Sequence, residues 1–271
     1  MPKEEWDTIE EYLLYLRSLA AYMFARGFVD NKLVLEVGCG AGYGANDIAR
    51  FASSIIAVDI SGEAISYAQG KYSKASLIFA QANGNKLPFK ASSFDVAISF
   101  QVIEHIDKDN GLDYLLEIKR VLKKEGTFIL STPNKKLRLL PFQKPWNPEH
   151  KKEYDDKELK KLLSQAFEEV KVYGLCGSDK IQAVESNRVK QTPFKAYIVS
   201  PIYRILKLSL PSPILVRLKK IRRNASRRQA RSKLTLQETF VASFSLNDFR
   251  VDPNCPKNCL DLYGICTKAE T

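Results

Sequence analysis

Two histidines are present in the 271 residues, His105 and His150. An imidazole titrates near neutrality, so it can take a proton from a hydroxyl at physiological pH. The first stands in FDVAISFQVIEHIDK, directly after Glu104 and just where a strand-like run ends; the second stands in WNPEHKKEY. A side chain that merely caps or packs would also satisfy either position. The other stretch with chemistry in it is VLEVGCGAGYGA, Val34 to Ala45. Glycines at 38, 40 and 42 let the backbone approach a ligand with no Cβ in the way. A dinucleotide fingerprint G-x-G-x-x-G/A counted from Gly38 fails at Tyr43. Counted from Gly40 it is met by Gly42 and Ala45, so the glycines alone leave a nicotinamide cofactor open.

The surrounding pattern says what positions these residues. Thr8–Arg26 reads as an amphipathic helix with Ile9, Leu13, Leu16, Leu19, Ala20 and Met23 on its apolar side. Strands are expected at 32–37, 54–58, 76–80, 94–100, 127–131, 170–175 and 259–267. Helices are expected at 42–51, 62–72, 111–122 and 155–167. This alternation implies parallel βαβ units, and hence an α/β fold with a doubly wound, mostly parallel, seven-stranded Rossmann-like sheet. The glycine turn then follows the first strand and His105 the fourth, both at the carboxyl edge where open α/β sheets bind ligands. His150 precedes the helix that leads into the sixth strand, so its loop can fold over that same edge. The expected organisation is a core over residues 1–176 with its N-terminal helix, a basic insertion over 177–239, and a return to the core over 240–271.

Taken together, Glu36-x-Gly38-x-Gly40-x-Gly42, Asp59 at the end of IIAVDIS, the loop NGNKLPF and the segment FDVAISFQVIEHI resemble the class I S-adenosylmethionine-dependent methyltransferases, over about residues 10–175 and again 240–268. The resemblance implies a late antiparallel strand, S-adenosyl-L-methionine as cofactor, and methyl transfer as the activity. It implies that Gly38, Gly40 and Gly42 pack against the methionine end and that Glu36 faces its cationic amino group. Asp59, followed by Ile60, would bind the ribose hydroxyls. Asn83 and Gly84 would lie against adenine, Asn83 standing where the family often has Asp, and Gln101 would complete the site after the fourth strand. Members acting on quinones, sugars and RNA often carry Glu-His after the fourth strand and a further His ahead of the penultimate helix, which makes Glu104, His105 and His150 the candidate catalytic residues. In the small-RNA 2′-O-methyltransferases, E-x-x-E-H and a later H-x-x-E hold a metal. Gln101 replaces the first acid here and is a poor ligand, while HKKEYDDKEL, His150 to Leu159, fits the later element; a metal site is weakened but stays open, and the expectation is acid–base work by the histidines without metal.

The net charge of +11 is concentrated. Between Glu185 and Glu238 there is no acid but fourteen Lys and Arg, and the rest of the chain carries more acids than bases. Arg217–Lys233 contains no aromatic residue on which bases could stack. Apolar Ile198–Leu218 beside it fits an anionic membrane surface better. The expected acceptor is therefore a small molecule or a glycan- or lipid-linked precursor, with a sugar hydroxyl foremost and nucleic acid less favoured. RNA 2′-O-methylation and a non-catalytic, cofactor-binding membrane adaptor are the alternatives. The N-terminus has acids where an export signal has bases, so the expected location is the cytoplasm, with contact at the inner membrane face. Cys255, Cys259 and Cys266 lack a fourth ligand for zinc, and Cys39 inside the glycine turn reads as packing.

Overall fold

Uninterrupted apolar strands need both faces covered, and the sequence supplies helices between them to do so. In the computed structural model, which describes residues 6, 8–139, 145, 147–194, 242–254 and 257–269, the chain divides into two units. The first comprises Met1–Pro2, Arg17–Gly177 and Phe249–Thr271, the second Lys3–Leu16 and Ser178–Asp248.

The first unit holds the sheet. Its strands are β1 (Leu33–Val37), β2 (Ser54–Asp59), β3 (Leu77–Gln81), β4 (Phe94–Phe100), β5 (Leu122–Pro133), β6 (Glu169–Gly177), β7 (Phe249–Asp252) and β8 (Asp261–Thr267). They lie in the order β3-β2-β1-β4-β5-β8-β6-β7. Pairing is parallel from β3 through β5. The last strand, β8, runs antiparallel to both β5 and β6. Short β7 adds an eighth, edge strand that the sequence pattern does not announce, since four residues are too few to show alternation. Helices α2 (Tyr43–Ile48), α3 (Gly62–Lys71), α4 (Gly111–Val121), α5 (Lys135–Arg138) and α6 (Asp156–Leu163) connect the strands. Asp155 starts α6 with a capping box to Glu158. Leu35, Ala97, Phe128 and Leu130 of the sheet bury against Leu115 and Ile118 of α4 and Leu159 and Leu163 of α6.

Helix α1 (Ile9–Val29) runs through the division between the units. Met23, expected on its apolar side, is 44% exposed, while Tyr22, Ala25 and Val29 are buried. Apolar spacing picks out the helix correctly but misassigns the face near its end, because a tyrosine takes the inward position. In the second unit α7 (Asp179–Phe194) occupies part of the expected insertion. There Lys180 pairs with Asp248 at 2.8 Å, and the Tyr12 hydroxyl donates to the Phe244 carbonyl. Most of the basic insertion, including Arg217–Lys233, lies outside the described residues, as does Cys255. No helix among the described residues is long and apolar enough to cross a membrane.

The sheet order reverses between β1 and β4, and there the glycine turn leaves β1. Gly38, Gly40 and Gly42 all take positive φ, of 85°, 50° and 78°. A Cβ on Gly42 would lie 2.6 Å from Phe79, whereas one on Gly40 would meet nothing within 4 Å. Gly42→Ala should therefore lose about 2–4 kcal/mol, from left-handed strain plus overpacking, and Gly40→Ala only about 1–2 kcal/mol from the backbone. Urea unfolding of the two variants checks the order.

Candidate functional site

The carboxyl ends of β1, β2 and β4 surround a cleft of about 320 Å³ lined by Gly38, Asp59, Ile60, Asn83, Gly84, Gln101 and His105, with Val102 and Tyr114 among the others. Seven residues singled out from sequence thus share one wall. Glu36 of β1 and Gly40 and Gly42 of the turn after it are not among the lining residues. The three glycines do not share one reason. A Cβ on Gly38 would meet Val102 at 2.3 Å, so that glycine serves the close approach of the loop after β4, while Gly40 leaves open space. Gly84 is demanded by the Tyr114 ring at 2.7 Å and by Val37 at 3.0 Å.

Glu36 is 1% exposed. Its Oε1 accepts from the Tyr22 hydroxyl at 2.6 Å, and its Oε2 is buried with no partner. Burial pushes its carboxyl up to about 7, against the lowering effect of the Tyr22 hydrogen bond and with a further push from Asp59. Such an oxygen is costly to leave without a hydrogen-bond partner, and a cationic donor would satisfy it most strongly. Asp59 ends β2 with Oδ2 accepting from the Gly40 amide at 2.8 Å and Oδ1 from the Ser61 amide at 2.9 Å. Those bonds fix the carboxylate and leave it lone pairs for hydroxyl donors. Ile60 beside it is 70% exposed, an apolar surface on which a flat ring can lie. Asn83 is exposed, and its side-chain oxygen closes a turn on the Asn85 amide at 2.9 Å. Gln101 holds a left-handed φ of 57° at the end of β4, its amide nitrogen donating to Ser131 at 3.2 Å. A nucleoside with a cationic amino-acid tail fits this donor set: an unpartnered buried carboxyl oxygen, an anchored carboxylate, an open glycine and an exposed apolar side chain.

At the other end the 3-10 turn Ile103–His105 follows β4. The loop before α6 is tied to it, since the Glu104 carbonyl accepts from the Lys151 amide at 2.7 Å and the Lys152 amide at 3.2 Å. A second tie joins the Lys135 amide to the Tyr154 carbonyl at 2.9 Å. These ties bring the His150 ring edge-on to His105, with centroids 4.8 Å apart and planes at 85°. His150 Nδ1 lies 2.8 Å from Glu153 Oε1 and His105 Nδ1 lies 3.3 Å from the Glu149 carbonyl oxygen. The Glu149 carbonyl can only accept, so His105 Nδ1 carries hydrogen and its neutral ring keeps a lone pair at Nε2. Burial, and then the neighbouring His150, hold His105 below the usual imidazole range. Glu104 is fully buried, with Oε2 accepting from the Thr132 hydroxyl at 3.0 Å and Oε1 without a partner. Burial raises its carboxyl to about 8. Ligand atoms of Glu104, His105 and His150 fall within 4.8 Å of one another, close enough to hold a metal ion. Cys39 is buried, and burial pushes its thiol up. Cys259 and Cys266 are buried as well, and Cys259 Sγ accepts from the Asn134 amide at 3.2 Å.

Sequence reasoning missed Tyr22 and Thr132. Nothing in the spacing of α1 marks Tyr22. Glu153 is the acid of the H-x-x-E that begins at His150.

Residues 35–130 match the methyltransferase domain family. A probable S-adenosylmethionine-dependent methyltransferase of Mycobacterium tuberculosis is 37% identical over 155 residues, 56% of this chain and 55% of that protein. A fatty-acid O-methyltransferase of Mycolicibacterium smegmatis is 30% identical over 131 residues, covering 48% and 46% of the two chains. The chain thus spans about half the length of the curated relatives it matches. A solved S-adenosylmethionine-dependent methyltransferase from Thermotoga maritima, described as a possible histamine N-methyltransferase, has a TM-score of 0.57 at 17% identity, over 96% of this chain and 94% of that one. This last likeness is one of fold alone.

Since the folded-state pKa of Glu36 is raised from its ordinary 4.5 to about 7, the cofactor-free folded protein keeps a proton that the unfolded chain gives up. Stability should therefore fall as pH rises through that window. Glu36→Gln removes the slope. Thermal unfolding should show the melting temperature of the variant gaining on the natural protein between pH 5 and pH 7.5.

Proposed function

From the premise that the core of this chain belongs to the class I S-adenosylmethionine-dependent methyltransferases, we propose that it methylates an oxygen atom of a small polar or lipid-linked acceptor, a sugar hydroxyl being the type case. The observation that carries this reading is the double position of His105, which lines the cleft and also faces His150. Glu36 would hold the cofactor's ammonium, Asp59 the ribose hydroxyls, and Ile60 with the loop at Asn83 and Gly84 the adenine; Gly38, Gly40 and Gly42 give it backbone to lie along. When bound, the cofactor supplies an electrophilic methyl group on a sulfonium sulfur.

The chain's own share is alignment and proton handling. His105, kept neutral by burial, accepts the acceptor hydroxyl's proton at Nε2, while its Nδ1–H stays on the Glu149 carbonyl. His150, fixed by Glu153, is the second base of the pair and can pass that proton on. Glu104, neutral over much of the physiological range, offers a carboxyl oxygen that can bond the hydroxyl without repelling the oxyanion that forms. The fatty-acid O-methyltransferase relative supports oxygen as the atom methylated. From its sequence alone, the acid-free segment between Glu185 and Glu238 supports contact with an anionic membrane surface. A metal-assisted reading is favoured by the convergence of Glu104, His105 and His150, and Gln101 weighs against it.

Labelled cofactor added to a cell extract, with label sorted into lipid, glycan, RNA and protein, should mark glycan or lipid. Label in RNA alone would refute the acceptor class. In the purified enzyme, His105→Ala and His150→Ala should each lower turnover by about 10²–10⁴ while keeping cofactor affinity. Activity of the natural protein should rise with pH through an imidazole titration. Full activity in both variants would refute the base role. A chelator that stops the reaction, reversed by Mg²⁺ or Mn²⁺, would replace it with the metal-assisted one.

A further inference from the structure

Helix α1 presents three polar side chains one turn apart, Ser18, Tyr22 and Arg26, and all three are engaged by the segment around the glycine turn. The Ser18 hydroxyl is hydrogen-bonded to the Tyr43 hydroxyl. Arg26 makes a two-pronged ion pair with Asp47, Nε to Oδ2 at 2.9 Å and Nη2 to Oδ1 at 2.7 Å. Between these clamps the buried Tyr22 reaches past α2 to Glu36 Oε1. Its path exists only because residue 44 is glycine, where a Cβ would stand 1.8 Å from the Tyr22 ring. Phe100 and Tyr43 hold the ring edge-on at 5.0 and 5.6 Å.

We infer that Tyr22 is a positioning residue of the cofactor site: clamped by Ser18 and Arg26, it holds the Glu36 carboxylate in one orientation and makes the cleft selective for nucleosides that carry a cationic amino-acid tail. The inference rests on the methyltransferase reading of the cleft. A carboxylate with both oxygens free would rotate and could share itself among donors. With Oε1 fixed by a phenol at 2.6 Å, only Oε2 is left, and it is buried and unpartnered. A buried acceptor of that kind discriminates strongly, because a ligand lacking the donor leaves it unsatisfied. Tyr22 needs no contact with the ligand to do this, and removal of its hydroxyl leaves the ring packing in place.

Calorimetry with two ligands tests it. S-adenosylhomocysteine carries the amino-acid tail; 5′-methylthioadenosine keeps the nucleoside and thioether but lacks it. The natural protein should prefer the first. Tyr22→Phe should weaken S-adenosylhomocysteine about tenfold and leave 5′-methylthioadenosine unchanged. Gly44→Ala, which displaces the ring, should do the same. Tyr22→Phe should cost little more in a Glu36→Gln background, where the charge it positions is already gone. Unchanged affinity for both ligands in Tyr22→Phe, or an equal loss for both, would overturn the inference. Failure of the natural protein to bind either ligand would instead remove the cofactor reading on which it rests.

Discussion

A carboxyl group taken out of water with one oxygen unsatisfied is costly, and among the described residues Glu36, Glu104 and Glu153 are all of this kind, the first in β1 and the second in the turn after the adjacent β4. Glu36 and Glu104 are built alike. Each gives one oxygen to a buried hydroxyl, Tyr22 in one case and Thr132 in the other, and each keeps the second oxygen without a partner. Each has its proton affinity raised by burial, to about 7 and about 8. Neither arrangement helps the fold. Each lies one residue from a residue that lines the cleft, Glu36 from Val37 and Glu104 from His105, near the point where the strand order reverses.

The geometry around those two acids is set by the backbone on either side of them. The left-handed glycines turn the chain sharply after Glu36, and the loop after β4 packs into the hollow that Gly38 leaves for Val102. Gln101 accepts a left-handed backbone, of order 1–3 kcal/mol in strain, so that the chain can leave β4 toward the 3-10 turn bearing Glu104 and His105. The amides of Lys151 and Lys152 then close on the carbonyl of Glu104. The residue whose carboxyl is buried beside His105 thus also anchors the loop that brings the second histidine.

Much of this was legible in the residues. Apolar runs bounded by glycines, and acids at strand ends, gave the succession of β1 to β6 along the chain and the carboxyl edge at which the cleft lies. The two histidines could be paired because a histidine-poor chain leaves few other combinations. Three things could not be read. The edge strand β7 is too short to show a period. Tyr22 sits inside a helix whose apolar spacing explains its burial without suggesting a task. The split among the glycines depends on Val102, Phe79 and open space, which are tertiary neighbours. The half-satisfied state of Glu36 and Glu104 is likewise a matter of what surrounds each oxygen, which residue type and spacing do not encode.

The place of β8 has a consequence for how the molecule is made. The last strand of the chain is not at the margin of the sheet but wedged between β5 and β6. Its first residue, Asp261, takes the two-pronged grip of Arg17, near the opposite end of the sequence. Until β8 is in place, β6 has no neighbour through which to join the parallel strands, and β5 shows an open edge along most of its length. Pairings of such sequence separation form late and slowly, and an unfilled edge is a ready template for pairing with another chain. The folding chain therefore depends on β8 to protect a sheet whose strands β1 to β4 could already have paired without it.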